Sequence, residues 1–317
     1  MLDTHQIDFF QRYGYLVVDD VLDQNTVLDP VRAEYATLLD GLITHWQAAG
    51  ILPELPENLD FYDKLKYCYE AGCDWFQPMD ISLPGDEVQL DTPMHFGPAV
   101  FDMITNKRLL DIAESLIGPE LTSNPIQHVR LKPPVPDLRN DEIRAHIAAT
   151  DWHQDRGVAH DEADATDMIT MWIAVSDATE ENGCLQVIPQ SPDARLLPHC
   201  AKTQTAIADG FIDRKDAKPL PVRSGGVVIF HPLTPHSSLD NHSDAFRWSF
   251  DIRFNKTGQP TGRAHFPDFV ARSHTQPATV LQDWQIWRNL WEEARKNLSA
   301  QTHIPIHRWN SDAPHCA

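Results

Sequence analysis

Cationic side chains are scarce: 26 Lys and Arg stand against 46 Asp and Glu in 317 residues, a formal net charge of −20 with a pI near 5.0. A chain this acidic has no electrostatic footprint for nucleic acid or for an anionic membrane surface, so neither is expected as a partner. The acidity is spread along the chain rather than gathered in a tail. Long hydrophobic runs are missing as well. Phe9-Phe10 and Leu16-Val17-Val18 are short and interrupted by charge, so neither a membrane span nor a signal peptide is expected. Cysteine is sparse, with five residues at positions 68, 73, 184, 200 and 316, an odd number without a CxxC pair. They are expected as reduced thiols of an intracellular protein, not as a disulfide framework or a zinc site. The closing Pro-His-Cys-Ala lacks the peroxisomal Ser-Lys-Leu address, which leaves the cytoplasm as the expected compartment. Internal repeats and low-complexity linkers are absent, and one domain over 1–317 is expected.

What is present argues for a folded globular protein: 42% hydrophobic residues and nine Trp. Residues 4–13 carry a helical pattern, Tyr15-Leu16-Val17-Val18 a strand, and 26–49 a longer helix with Val27, Val31, Tyr35, Leu38, Leu39, Leu42 and Trp46 at helical spacing. A helix over 100–117 stops at Gly118-Pro119. Strands are expected at 122–132, 169–176, 184–188 and 227–231, then a hairpin over 235–254. A C-terminal helix over 278–299 has Trp284, Trp287, Leu290, Trp291, Ala294 and Leu298 on one face, expected to pack beside Trp248 and Phe250. Many short strands preceded by helices give a mainly β fold with flanking helices: a helical part over about 1–120, a β core over about 121–255, and the last helix outside it.

The chemistry concentrates in two stretches. In Asp151-Trp152-His153-Gln154-Asp155, His153 and Asp155 form His-x-Asp, and on a strand residues i and i+2 share a face. An imidazole and a carboxylate are two members of the 2-His-1-carboxylate set that holds non-haem Fe(II) and leaves positions open. The second stretch, from Phe230-His231 through His236 to Arg247, offers a third ligand and a cation for a carboxylate co-substrate. A turn near Asn241 sets His236 opposite Arg247. On the returning strand Phe246, Trp248, Phe250, Ile252 and Phe254 form an apolar face. Arg247, Ser249, Asp251 and Arg253 form a polar one, expected to line the lumen together with Thr170 and Trp172.

His153-x-Asp155, then His236, then Arg247 eleven residues on, resembles the phytanoyl-CoA dioxygenase family of Fe(II)/2-oxoglutarate oxygenases. Gly14-Tyr15-Leu16-Val17, Leu116-Ile117-Gly118-Pro119, Leu131-Lys132-Pro133-Pro134, residues 181–191 and Gly226-Val227-Val228-Ile229-Phe230-His231 follow in family order. Two departures stand out: Pro189-Gln190-Ser191-Pro192 where the family often has Pro-Gly-Ser-His, and Gly225-Gly226 where it often has Gly-Asp. The resemblance implies a double-stranded β-helix (jelly-roll, cupin-like) core with His153, Asp155 and His236 on Fe(II). It implies Arg247 on the far carboxylate of 2-oxoglutarate, Ser238 as a hydroxyl contact to it and Gln127 as a candidate for a further contact, and Trp172, inward on its strand, is a further co-substrate candidate. O2 is the second co-substrate.

The rival histidines are less well set. His231 is sixteen residues from Arg247, which spoils the cross-strand pairing, and His242 sits in the turn. His128, His146, His160 and His199 lack a same-face carboxylate at this spacing. The acidic stretch 157–168 follows the ligands directly and is expected as a lid favouring a neutral or cationic small molecule over a polyanion. The expected activity is oxidation, by default hydroxylation, of a C–H bond of a small metabolite by a monomer or homodimer. A halogenase is disfavoured by Asp155, and a silent ligand-binding barrel has no need of a co-substrate clamp. Zn(II) on a cupin-like barrel remains the alternative metal.

Overall fold

A computed structural model describes residues 1–73, 76–85, 87–134, 150–189, 194–201, 205–301, 308–310 and 312–316. His146 and residues 190–192 of the first departure lie outside these. The helices are α1 (Thr4–Tyr13), α2 (Asp29–Ala48), α3 (Phe61–Glu70), α4 (Phe76–Met79), α5 (Pro98–Ile104), α6 (Lys107–Ile117), α7 (Asp155–Val158) and α8 (Trp284–Ser299). The strands are β1 (Tyr15–Val18), β2 (Leu121–Lys132), β3 (Met168–Ala174), β4 (Leu185–Val187), β5 (His199–Ala201), β6 (Thr205–Ile207), β7 (Lys218–Leu220), β8 (Val227–Phe230), β9 (His236–Ser238), β10 (Arg247–Lys256) and β11 (Phe269–Arg272).

Two antiparallel sheets build the jelly roll. The large one runs β1-β8-β3-β10-β2-β11 and the small one β7-β4-β9. The outer face of the large sheet is apolar because alternate residues of β10 (Trp248, Phe250, Ile252, Phe254) point one way. That face is covered by α2, whose Val31, Tyr35, Leu39, Ile43 and Trp46 recur at helical spacing and are buried. Tyr35 meets Trp248 at 5.0 Å and Phe250 at 5.7 Å between ring centroids. The opposite face of β10 looks into the space between the sheets. Among the described residues no helix is long and apolar enough to cross a membrane.

Several local expectations are corrected. No hairpin joins β9 to β10: His236 pairs with Val187 in the small sheet, and Arg247 pairs with Lys132 in the large one. The chain crosses between sheets, and the turn-like 239–246 segment is instead tied down by Asn241, which donates to Lys132 O at 3.1 Å and Ala245 O at 2.8 Å. The helix over 100–117 is two helices, because Asn106 caps a new start at Lys107. α8 packs on Phe96 and Phe101 through Trp287 and Trp291, not beside Trp248. The five cysteines are not all reduced thiols: Cys200 and Cys316 form a disulfide with Cα atoms 5.5 Å apart, and Cys68, Cys73 and Cys184 are free and buried. A link across 116 residues stabilises mainly through the unfolded chain, by about 2–4 kcal/mol.

Candidate metal and co-substrate site

The two histidines of the site are a hydrogen-bonded antiparallel pair. His153 N donates to His236 O and His236 N to His153 O, each at 3.0 Å, so the segment before α7 extends the small sheet beyond β9. That pairing brings together residues 83 apart in sequence and turns both imidazoles to one side. The His-x-Asp stretch does not continue as a strand. Gln154 is extended (φ −115°, ψ 135°), and Asp155 then begins the short α7. Gln154 is fixed by its surroundings: its N–H donates to His199 Nε2 at 3.0 Å, and its side chain bonds Leu233 O at 2.6 Å and Leu197 N at 2.7 Å. One extended residue between them keeps His153 and Asp155 on the same side.

The three side chains converge. His153 Nε2 lies 3.7 Å from Asp155 Oδ1, His236 Nε2 lies 3.9 Å from Asp155 Oδ2, and one potential ligand atom from each falls within 4.8 Å of the others. Both Nδ1 atoms are committed to backbone carbonyls two residues back, His153 to Asp151 O at 2.8 Å and His236 to Thr234 O at 3.0 Å. Each Nδ1 therefore carries the proton and each Nε2 lone pair faces the site, the arrangement a metal-ligating histidine requires. Burial and the neighbouring His236 push His153 down to about 3, so it is neutral at physiological pH. Burial alone would raise the Asp155 carboxyl, but Arg253 and the two histidines outweigh it and hold it well below the usual range. Asp155 Oδ2 is buried without a hydrogen-bond partner. An orphaned carboxylate oxygen beside two free imidazole lone pairs fits a divalent cation, and the set matches non-haem Fe(II). The Phe230 ring lies parallel to His236 at 4.3 Å and closes that side to water.

Next to the triad is a cavity of about 80 Å³, lined among others by Trp172, Arg247, Asp251 and Arg253. Arg247 is buried, its cation lies 4.9 Å over the Trp172 ring, and one terminal nitrogen donates to Gly183 O at 2.9 Å. Gly183 has φ +84°, and a Cβ there would fall 2.6 Å from Leu239 O, so this carbonyl is presented by a turn that needs glycine. Arg247 Nε has no partner, and among the described residues no carboxylate pairs with Arg247. Burial pushes the guanidinium down to about 10, still protonated at neutral pH. A buried, protonated, incompletely bonded fork could hold a carboxylate in a bidentate pair.

Ser238 sits on the His236 side of β9. Its Oγ accepts from Lys132 Nζ at 2.9 Å and from Thr150 N at 2.8 Å. With both lone pairs engaged, the hydroxyl proton has to be donated elsewhere. Burial, then Arg247 opposite, push the Lys132 ammonium down to about 6. The folded protein therefore gives up a proton that the unfolded chain keeps up to a pH near 10.4. Its contribution to stability is lost as pH falls toward 6 and recovers as pH rises. Wild type minus Lys132→Met in denaturant melts is expected to gain stability with rising pH between 6 and 10, by up to about 1.4 kcal/mol per pH unit. A flat difference would mean that Lys132 stays charged in the folded protein.

The remaining sequence-derived residues are distributed differently. Gln127 is not brought to the cavity: its side chain donates to Ile81 O at 2.8 Å, and its neighbours Ile126 and His128 line the cavity instead. His231 lines a separate surface groove, with Nδ1 accepting from Leu233 N. No carboxylate of the 157–168 stretch lines the cavity. Asp164 is paired with Arg308 and Asp167 with Lys256, while Asp161 and Glu162 are exposed. Sequence reasoning missed two contacts. Arg253 is ion-paired with Asp155, although its place on the Arg247 face was readable, and His199 braces Gln154 from β5, for which no sequence signal existed.

A family model described as phytanoyl-CoA dioxygenase matches residues 10–249. The chain is 31% identical over 118 residues to the mouse phytanoyl-CoA dioxygenase domain-containing protein 1, covering 32% of this chain and 40% of that protein. It is 30% identical over 159 residues to the L-proline trans-4-hydroxylase of Streptomyces griseoviridis, covering 43% of this chain and 59% of that protein. The match thus spans about half the length of these relatives. Among solved structures, the non-heme monooxygenase ThoJ superposes with a TM-score of 0.58 at 18% identity, covering 94% of this chain and 98% of that one, which establishes the shared fold.

Proposed function

The chain belongs to the phytanoyl-CoA dioxygenase family of Fe(II)- and 2-oxoglutarate-dependent dioxygenases, and from that premise we propose that it hydroxylates a C–H bond of a small organic metabolite, coupled to decarboxylation of 2-oxoglutarate to succinate. The observation that carries this reading is the pairing of a buried His153–Asp155–His236 triad, with one orphaned carboxylate oxygen, with a buried Arg247 that has no carboxylate partner among the described residues, in the adjoining cavity. The oxidising power comes from Fe(II), 2-oxoglutarate and dioxygen together.

The chain's own residues supply orientation and exclusion. His153 and His236 would hold Fe(II) through Nε2 and Asp155 through its unpartnered Oδ2, three ligands of a set that leaves coordination positions open. Arg247 would take the distal carboxylate of 2-oxoglutarate through its fork, Ser238 would donate its hydroxyl proton to the same group, and Trp172 would wall the co-substrate. Phe230 and the buried β10 face keep bulk water from the reacting centre. The cavity's charged lining includes Arg130, Arg247 and Arg253 against Asp155 and Asp251, an excess cation that the distal carboxylate would balance.

The test is a screen of small amino acids, phosphonates and related metabolites for substrate-dependent succinate release, with the +16 Da product read by mass spectrometry. Succinate formation that needs Fe(II), 2-oxoglutarate and one metabolite class together supports hydroxylation. A substrate-dependent product of −2 Da or unchanged mass would replace hydroxylation with desaturation or rearrangement.

A further inference from the structure

The strand β2 contains Pro125, which has no N–H to give to a ladder. Opposite it the β2–β10 register breaks: Asp251 pairs with His128 and Arg253 with Asn124, so four steps on β2 face two on β10. The bulge turns Ile126 O out of the ladder, and this carbonyl accepts from Arg253 Nη1 at 2.8 Å. The other terminal nitrogen of Arg253 is ion-paired with Asp155 Oδ1. Both side chains are buried, Arg253 at 5% and Asp155 at 1% exposure. One guanidinium therefore bridges a backbone carbonyl freed by a proline bulge and one oxygen of the metal-facing carboxylate. Asp155 Oδ2 is left as the partnerless oxygen.

We infer that Arg253 is a positioning residue for the metal: held by the Pro125 bulge, it occupies Asp155 Oδ1 and thereby fixes Oδ2 as the single ligating oxygen. The inference rests on the reading of His153, Asp155 and His236 as the metal set. Two effects of Arg253 oppose each other. As a charge it repels a divalent cation and should weaken binding. As a strut it holds the carboxylate in one rotamer, and losing such an outer partner usually costs about 10–100-fold in metal affinity. The strut dominates here, because the Arg253 charge is already neutralised by Asp155 while its geometry has no substitute.

The experiment measures Co(II) affinity and the visible Co(II) spectrum of the full chain without 2-oxoglutarate, for wild type, Arg253→Lys, Arg253→Met, Arg247→Gln and His153→Ala. Lysine keeps the charge but, with a single nitrogen, cannot span Ile126 O and Asp155 Oδ1 as the fork does. Both Arg253 variants are expected to bind Co(II) about 10–100-fold more weakly with an altered band shape, and Arg247→Gln to bind it as wild type does. Wild-type affinity and spectrum in folded Arg253→Lys, or tighter binding by Arg253→Met, would overturn the strut. If Arg253→Met fails to fold, Arg253→Lys decides alone. Undiminished binding by His153→Ala would instead remove the metal set itself, and the strut with it.

Discussion

Alanine at His236 is expected to reduce succinate release to background and to weaken Fe(II) binding sharply, with His153→Ala behaving alike. Each histidine presents Nε2 because its Nδ1 is tied to a backbone carbonyl, so alanine removes a donor already aimed at the site. Asp155→Ala is expected to abolish turnover too, with a second consequence. Removing it leaves Arg253 buried without its counter-ion, and breaking such a pair costs about 3–5 kcal/mol, so this variant should also melt earlier. His231→Ala and His242→Ala are expected to retain activity: the first lines a groove apart from the triad, and the second lies in the 239–246 crossover. The readouts are succinate release and equilibrium metal binding. Iron lost in His231→Ala and kept in His236→Ala would reverse the ligand assignment.

The next largest effect is expected at Arg247. Arg247→Gln should raise the 2-oxoglutarate requirement about ten- to a hundredfold, the loss for a hydrogen bond to a charged group being about 1.5–3 kcal/mol. Metal binding in the absence of 2-oxoglutarate should not change, because Arg247 bonds Gly183 and Trp172 rather than the triad. Arg253→Lys should show the reverse pattern, with metal affinity moving more than the apparent KM for 2-oxoglutarate. Titrating 2-oxoglutarate at saturating metal separates the two. Equal shifts in both parameters for both variants would mean that the two arginines act as one cluster.

Much of this was legible because period-two alternation survives in β10: one parity of that strand is the outer core, and the other includes Arg247, Asp251 and Arg253. The helical cover followed from patterns of similar strength, and the jelly-roll class from the family resemblance. What failed were inferences needing long-range pairing. The polar 239–246 stretch has turn chemistry, yet nothing in it says that β9 and β10 enter different sheets. Cys200 and Cys316 are 116 residues apart, and their meeting depends on where the C-terminal segment docks. The α8 stripe announced a buried face but not its partners. For Gln127, strand parity was the relevant signal, since it falls on the opposite face from His128. Pro125 inside the expected strand 122–132 was not read as a bulge, and that the neighbouring Ile126 carbonyl would hold an arginine 127 residues away was not readable from sequence.

The most direct test is anaerobic visible absorption of the purified chain titrated with Fe(II) and 2-oxoglutarate. Wild type is expected to develop a weak band only when both are present, to lose it in His236→Ala, and in Arg247→Gln to reach it at about ten- to a hundredfold more 2-oxoglutarate. A band that forms with Fe(II) alone, or no band at saturating concentrations of both, would contradict a centre in which His153, Asp155 and His236 hold the metal and Arg247 holds the co-substrate.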